Sequence, residues 1–188
     1  MATRVGVFLD RDGVIVEQVD HLRRVEDLRL LPGSAEAIAR LNRAGIPVVV
    51  VTNQAAIAMD YLTVDGLLEI HRRLREELAK HGARWDALYF CPHHPEASLP
   101  ELRADCLCRK PGTAMLEKGR DDLGIDLSRS YVVGDMTADI LAGRRAGCRT
   151  ILVDTGFAGS DGRHAAAPDL RVPDLAAAVD AILEEVGR

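Results

Sequence analysis

Residues 5–13 read VGVFLDRDG, a short apolar run that ends in two acids placed two positions apart. The aliphatic, β-branched character of Val5–Leu9 predicts a buried strand, and the Asp-Gly pair behind it predicts a turn. Further runs of the same kind predict four more strands, at Val48–Val51, Ala87–Phe90, Tyr131–Val133 and Thr150–Val153.

Amphipathic patterns with helical spacing separate these apolar runs. They predict helices at Ser34–Ala44, Val64–Lys80, Thr113–Leu123, Thr137–Ala146 and Asp174–Val186, several of them followed by a glycine stop (Gly45, Gly82, Gly124, Gly147). Strand and helix alternate along the whole chain, which predicts an α/β fold: a Rossmann-like, three-layer α/β/α arrangement around a mostly parallel sheet. Two irregular segments interrupt it, Arg11–Pro32 as a long loop or small hairpin and Cys91–Gly112.

Length and composition narrow the class of protein. The chain has 188 residues, 24 Lys+Arg against 29 Asp+Glu, and 47% hydrophobic residues, which predicts one globular domain over residues 1–188 and excludes disorder. No apolar stretch reaches the ~20 residues of a membrane helix, and the N-terminus lacks a secretory pattern. Scattered basic residues argue against a nucleic-acid partner. We therefore expect a cytoplasmic monomer with no membrane partner, and the net charge of −5 still permits a small anionic substrate.

Polar side chains follow the predicted strands at the point where each strand ends. Asp10 and Asp12 follow the first strand, Thr52 and its two successors follow the second, and Asp135 follows the fourth, with Asp139 just beyond. In open α/β sheets ligands bind beyond the carboxyl ends of the strands, so these side chains should converge at one edge.

The converging acids suggest a metal-assisted reaction. Asp10, Asp12 and Asp135 would form an all-oxygen site of the kind that Mg²⁺ prefers, with room for a substrate phosphate. Asp10 could then attack phosphorus as a nucleophile, and Asp12 could act as general acid and base. The alternatives are that the two acids are solvated loop residues and that Thr52 and Asn53 cap a helix.

Four ordered motifs resemble those of the haloacid dehalogenase superfamily of phosphohydrolases. They are FLDRDGVI at 8–15, VVVVTNQ at 48–54, the lysine of CRKP at 108–111 and VGDMTAD at 133–139. With CPHHP at 91–95 and CLCRKP at 106–111, the chain is similar to the branch that holds the heptose bisphosphate and histidinol phosphate phosphatases. The resemblance spans residues 5–155 and implies a HAD-like fold, with no insertion long enough for a large cap domain.

The resemblance implies a role for each matched residue. Asp10 would be the nucleophile and a Mg²⁺ ligand, Asp12 the acid/base whose backbone carbonyl also meets Mg²⁺, and Asp135 the remaining metal carboxylate. The substrate and its phosphoryl group would be held by Thr52, Asn53, Gln54, Arg109 and Lys110, with Arg109 on the distal part of a sugar phosphate.

The implied reaction is Mg²⁺-dependent removal of the 7-phosphate from D-glycero-D-manno-heptose 1,7-bisphosphate through an aspartyl-phosphate intermediate. Histidinol phosphate is the alternative substrate, which would favour an acid such as Asp20 or Asp60 near the mouth. A remote alternative is a zinc-stabilised binding domain without catalysis. Several residues depart from the branch pattern near the expected mouth, namely Val16-Glu17-Gln18, Met59, Asp60 and Met136.

Three cysteines and a histidine form two close pairs. Cys91-x-His93 and Cys106-x-Cys108 together predict a closed tetrahedral Zn²⁺ site, and the branch carries a structural zinc loop of this form within 91–108. His94 is the alternative imidazole ligand, and incidental thiols or a redox disulfide are the alternatives to zinc. Cys148 is expected to be a small core residue, and the other histidines are expected to be solvated or in the core: His21, His71, His81 and His164. His21, in the loop after the first motif, could instead touch the substrate.

Overall fold

A computed structural model describes residues 4–187. Its single sheet has six strands in the order β3-β2-β1-β4-β5-β6, and every neighbouring pair is parallel. The strands are β1 (Val7–Leu9), β2 (Val48–Asn53), β3 (Ala87–Cys91), β4 (Tyr131–Gly134), β5 (Arg149–Val153) and β6 (Leu170–Val172). The predicted α/β class is confirmed, and the sheet is parallel throughout.

The helices are α1 (Ser34–Arg43), α2 (Ala55–Ala58), α3 (Val64–Ala79), α4 (Ala114–Leu123), α5 (Thr137–Arg145) and α6 (Leu175–Val186). All five predicted helices are present, and the glycines predicted to stop four of them adopt positive φ. Two elements were not predicted, α2 and β6. Each is too short to show a periodic pattern, and β6 lies at the edge of the sheet with an exposed central residue.

Successive residues of β1 point to opposite faces of the sheet and pack in two different apolar layers. Val7 and Leu9 pack with α1, α3 and α6, whereas Phe8 packs with α4 and α5 on the other face. A Cβ at Gly119 would lie 2.6 Å from the Phe8 ring, so glycine lets α4 approach the sheet closely. These two layers confirm the predicted three-layer architecture.

The segment after β1 folds as a small hairpin. The Glu17 N–H donates to the Arg29 carbonyl (2.9 Å) and the Leu31 N–H donates to the Ile15 carbonyl (3.0 Å). Val14, Ile15 and Val16 are buried in the core, which fixes the hairpin above the sheet. The segment is therefore an ordered hairpin that forms one wall of the space beyond the strand ends.

The chain reverses its direction of sheet growth between β1 and β4. From β1 it proceeds to β2 and β3 on one side and then to β4, β5 and β6 on the other. Such a switch point leaves a crevice at the carboxyl ends of the two central strands. Among residues 4–187, no helix combines the length and the apolar character needed to span a membrane.

Candidate active site

A cavity of about 560 Å³ lies at the switch point. Strand ends form its floor, and its walls come from the hairpin, from residues 95–111 and from the loop after β5. It is lined by all the predicted catalytic and substrate-binding residues: Asp10, Asp12, Thr52, Asn53, Gln54, Arg109 and Lys110. Asp135 lies just beneath, fully buried.

Three buried carboxylates meet one buried amine at the cavity floor. Oxygens of Asp10, Asp135 and Asp139 all lie within 4.8 Å of one another. Lys110 Nζ lies 3.0 Å from Asp10 Oδ1 and 2.6 Å from Asp139 Oδ1, and it donates to the Val51 carbonyl at 2.8 Å. Three negative charges and one positive charge leave a net charge of −2 that a divalent cation would neutralise.

The hydrogen bonds distinguish two kinds of acid in this cluster. Both oxygens of Asp139 are used, Oδ1 by Lys110 and Oδ2 by the Met136 N–H (3.0 Å). Asp135 Oδ2 accepts from the Phe157 N–H (2.8 Å), whereas its Oδ1 is buried without a hydrogen bond among residues 4–187. Asp10 Oδ1 accepts from Lys110 and from the Arg11 N–H (2.7 Å). Asp135 Oδ1 is thus left for a hard cation, the kind of oxygen ligand that Mg²⁺ prefers, while Asp10 keeps its Oδ2 outside these hydrogen bonds.

Burial dominates the electrostatics of the cluster. It raises the pKa of Asp10 to about 7, with the carboxylates of Asp139 and Asp12 adding to the effect of burial against the opposing charge of Lys110. Burial and then the neighbouring acids raise the pKa of Asp135 to about 8. Burial would lower the pKa of Lys110, but the charges of Asp10 and Asp139 outweigh it and raise that pKa above its ordinary value. Lys110 therefore carries a positive charge beside Asp10.

Asp12 lies apart from this cluster, and its carboxylate contacts different groups. Arg11 Nη2 lies 2.7 Å from Asp12 Oδ2, and Gln54 Nε2 donates to the same oxygen at 3.0 Å. Gln54 also donates to Thr52 Oγ1 (2.9 Å), which leaves the Thr52 hydroxyl hydrogen available. The carboxylate that lies with those of Asp10 and Asp135 is that of Asp139. The expected contact of Asp12 with the metal through its backbone carbonyl stays a prediction.

The side chain of Asn53 contacts the protein and not the open cavity. Its Nδ2 donates to the Lys110 carbonyl (3.1 Å), and its Oδ1 accepts from the Lys110 N–H (3.0 Å). Both amide groups are therefore occupied in fixing the backbone that carries Lys110. We expected Asn53 to hold the phosphoryl group, and this geometry gives its side chain the task of positioning Lys110.

Asp135 is enclosed by glycines. Gly13 and Gly156 both adopt positive φ, and a Cβ on either would lie 2.3 Å or 2.1 Å from Asp135 Oδ2. Thr155 Oγ1 donates to the Gly13 carbonyl at 2.6 Å and so joins the loop after β5 to the turn after β1. Only glycine fits at the two approaches, because a side chain would displace the carboxylate.

Two arginines, Arg109 and Arg163, line the outer part of the cavity together with the acids Asp20 and Asp105. The partly buried Arg109 donates from Nη1 to the His93 carbonyl (3.2 Å), and burial lowers its pKa. Arg163 and His164, from the loop after β5, line the same cavity, as does His21 from the hairpin. We expected His164 to be solvated or in the core, and for His21 we also considered contact with the substrate, which its place in the cavity wall permits. No local pattern marked Arg163, because its place at the mouth depends on how the loop folds.

Two of the residues that depart from the branch pattern also line the cavity. Gln18 and Met136 are at its wall, whereas Met59 and Asp60 are not among the lining residues of the described chain. Asp20, the other acid considered for a cationic substrate, does line the mouth.

The cysteine segment brings together the predicted set of ligand atoms. Cys91, His93, Cys106 and Cys108 offer sulfur and ring nitrogen atoms within 4.8 Å of one another. The His93 Nδ1 lies 3.6 Å from Cys108 Sγ, whereas Nδ1 of the neighbouring His94 accepts from the Glu96 N–H. The geometry therefore favours His93 over the alternative His94. Cys148 is buried in the core and separate from this group, as predicted.

Comparison with known proteins agrees with this site. A family model described as haloacid dehalogenase-like hydrolase matches residues 7–64, and a related HAD-hydrolase-like model matches residues 107–178. The chain is 45% identical to the D-glycero-D-manno-heptose-1,7-bisphosphate 7-phosphatase of Thermosynechococcus vestitus, over 94% of each chain. It is 38% identical to the D-glycero-beta-D-manno-heptose-1,7-bisphosphate 7-phosphatase of Pseudomonas aeruginosa, over 97% of this chain and 99% of the relative.

A solved structure shows the same architecture. The D,D-heptose 1,7-bisphosphate phosphatase of B. bronchiseptica, complexed with magnesium and phosphate, superposes with a TM-score of 0.86 at 34% identity, covering 96% of this chain and 99% of that one. The chain belongs to the haloacid dehalogenase-like hydrolases. Within that family, its similarity is to the heptose bisphosphate phosphatases.

Proposed function

We propose that this protein is a Mg²⁺-dependent phosphatase that removes the 7-phosphate of D-glycero-D-manno-heptose 1,7-bisphosphate and leaves the 1-phosphate. The observation that carries the proposal is the cavity floor, where a charged Lys110 is held between Asp10 and Asp139 and the unpaired Asp135 oxygen lies beside them. The names of the relatives support the choice of substrate.

Asp10 is the proposed nucleophile. Lys110 and the Arg11 N–H hold its Oδ1, so its other oxygen is the one available to attack phosphorus. Lys110 also offsets the charge of the transferring phosphoryl group, and the Thr52 hydroxyl donates to it. Asn53 keeps Lys110 in place through two hydrogen bonds to its backbone.

Asp12 is the proposed general acid and base. Asp12 lines the cavity, and the ion pairs of Lys110 are with Asp10 and Asp139. Gln54 connects Asp12 to Thr52 and fixes their relative positions.

Asp10, Asp135 and the backbone carbonyl of Asp12 would hold Mg²⁺. The bound ion would neutralise the acids, orient the phosphate and stabilise the charge that develops on it. The B. bronchiseptica relative is complexed with magnesium and phosphate, which supports this choice of metal.

The test measures phosphate release from each anomer of the heptose bisphosphate and from histidinol phosphate, with Mg²⁺ and with a chelator. We expect Mg²⁺-dependent turnover of the heptose bisphosphate and a drop of roughly 10³-fold or more in Asp10→Asn. Asp180→Asn, which alters an exposed acid on α6, is the matched control and should keep full activity. Full turnover by Asp10→Asn, or no turnover of any phosphate ester, contradicts the mechanism. Faster turnover of histidinol phosphate would reassign the substrate and would agree with Asp20 at the mouth.

For the cysteine segment we propose one structural Zn²⁺ held by Cys91, His93, Cys106 and Cys108. A closed set of three thiolates and an imidazole has no open position for water, so the metal would shape the loop and take no part in the chemistry. Arg109 follows Cys108 directly and donates to the His93 carbonyl, so the loop sets where this guanidinium enters the cavity.

Metal analysis tests the zinc proposal. Purified protein should contain about one zinc per chain, and Cys106→Ser should lose it while Cys148→Ser, a buried cysteine outside the group, retains it. Zinc-free protein with wild-type activity and stability would contradict the proposal.

We further propose that the chain acts as a single-domain monomer in the cytoplasm, as expected from its composition. A sedimentation measurement that shows a stable dimer would contradict the monomer.

A further inference from the structure

Arg11 lies between the two proposed catalytic acids in the sequence and is one of the largest fully buried side chains, at 1% exposure. A buried guanidinium is unfavourable unless its donors are satisfied. Arg11 meets two groups, the carboxylate of Asp12 and the ring of His71 on α3.

The contact with Asp12 involves both carboxylate oxygens. Arg11 Nε lies 3.1 Å from Oδ1, and Nη2 lies 2.9 Å from Oδ1 and 2.7 Å from Oδ2. A planar guanidinium bound in this way fixes the plane of the carboxylate as well as its distance. Gln54 adds a fourth hydrogen bond, to Oδ2. Because these groups approach both carboxylate oxygens, the arrangement restricts how the Asp12 side chain can turn.

His71 holds the other side of the guanidinium. Its Nε2 lies 3.2 Å from Arg11 Nη1, and a guanidinium has no acceptor, so Nε2 must accept and the ring proton must be on Nδ1. Burial, and then the charge of Arg11, lower the pKa of His71 to about 3, which keeps the ring neutral.

The second ring nitrogen of His71, Nδ1, indicates that this residue does more than fill space in the core. Nδ1 is buried and has no hydrogen-bond partner among residues 4–187. A leucine at this position would avoid a buried, unsatisfied N–H, which is unfavourable. The contact with Arg11 is the one polar interaction that the ring makes within the described chain, and it accounts for a histidine here.

We propose that Arg11 and His71 are positioning residues that hold the side chain of Asp12 in one orientation for the second displacement of the reaction. In that step the water oxygen bonds to phosphorus, the bond from phosphorus to the Asp10 oxygen breaks, and the water proton passes to Asp12. The inference rests on the proposed function and deepens it, since it names what keeps the base aligned.

The test separates the two displacements with p-nitrophenyl phosphate, whose leaving group needs no proton. For this ester kcat/KM reports on the attack by Asp10, whereas kcat also contains hydrolysis of the aspartyl phosphate. In His71→Leu we expect kcat to fall about ten- to hundredfold with kcat/KM within about threefold of wild type. A burst of p-nitrophenolate close to one per chain should precede the slow steady state.

Three further variants complete the design. Arg11→Lys keeps a charge but not the planar fork, and it should show the same burst with a larger drop in kcat. His71→Gln keeps an acceptor at the position of Nε2 and should restore most of kcat. Leu78→Ala removes buried packing from the same helix and should leave the split between kcat and kcat/KM unchanged. Circular dichroism verifies that each variant is folded.

The outcomes distinguish the two proposals. A parallel fall of kcat and kcat/KM in His71→Leu and Arg11→Lys, without a burst, would mean a purely structural role and overturn the inference while leaving the phosphatase intact. Wild-type protein that hydrolyses no phosphate ester would overturn both.

Discussion

Burial shifts the pKa values of several individual side chains in this protein. Asp10 and Asp135 have raised pKa values because water is excluded from them, and Lys110 is charged because two acids surround it. His71 is the opposite case, a base kept neutral beside a permanent cation. Burial and neighbours brought together by the fold cause these pKa shifts, so none could be read from composition.

The neutral His71 predicts how stability depends on pH. Its pKa falls from 6.5 in the unfolded chain to about 3 in the folded protein, so unfolding takes up a proton below pH 6.5. Stability from this residue is present above pH 6.5 and is lost as the pH falls towards 3, by about 1.4 kcal/mol per pH unit. Urea unfolding of wild type and His71→Gln at pH 6.5 and pH 4.5 measures it. The wild type should lose more stability than the variant, and equal losses would contradict a neutral, buried His71.

The elements position these side chains in a simple way. β1 and β4 are each followed by an acid at the carboxyl end of the sheet. Glycines or capping residues mark where several of the helices begin or end. Asp139 shows the use of a helix start, because it accepts from the Met136 N–H at the beginning of α5 and also pairs with Lys110. The second acid of the GDMTAD motif is thus the partner of the lysine. The spacing of Asp135 and Asp139 along that motif was the available signal for it.

The loop after β5 predicts a contrast between two glycines with nearly equal φ. Gly156 (φ 65°) faces Asp135, whereas a Cβ at Gly162 (φ 64°) would meet nothing within 4 Å. Gly162→Ala should lower the free energy of unfolding by about 1 kcal/mol and keep kcat, because only the backbone conformation is unfavourable. Gly156→Ala should also displace Asp135 and lower kcat by roughly 100-fold. Steady-state kinetics and thermal unfolding of both variants measure this, and equal kcat values would contradict the steric argument.

The molecule as a whole joins an acidic floor to a mouth that offers two arginines, Arg109 and Arg163, in one cavity. The floor suits a cation and a reacting phosphate, and the mouth suits the far end of a substrate with a second anionic group. The loop that carries Arg163 is held to the start of α5, since the Thr137 N–H and hydroxyl both donate to Asp161 (2.9 and 2.7 Å). Arg163 makes no hydrogen bond or ion pair within residues 4–187, which leaves it available to a ligand.

We expect Arg163→Ser to raise KM for the heptose bisphosphate about three- to tenfold with kcat unchanged, because an exposed guanidinium contributes modest binding. KM for a sugar monophosphate that lacks the distal group should not change. Arg129→Ser removes the same charge from an exposed position just before β4 and serves as the control. This position is at the amino ends of the strands, whereas the cavity is at their carboxyl ends. Equal changes in KM for the two esters, or for the two variants, would contradict a role at the mouth.

Several features were evident in the sequence: five of the six strands, the five long helices, four glycine stops, the acids that follow β1 and β4, and the cysteine and histidine pairs. Each of these signals is local, since it depends on the periodicity of a few residues or on a spacing of two. The predicted ligand atoms of the zinc loop do meet in the structure, because two short spacings already bring four ligands into two pairs.

Other features depend on contacts between distant parts of the chain. No local sequence pattern indicates four of them: the edge strand β6, the pairing of Asp139 with Lys110, the position of Arg163 at the mouth and the burial of Arg11. Arg11 and His71 are 60 positions apart, and within its own segment Arg11 is indistinguishable from an exposed arginine in a turn. It is buried beside α3, whose His71 supplies an acceptor. Packing and desolvation act between elements, and that is why the folded molecule was needed to show which charges face one another.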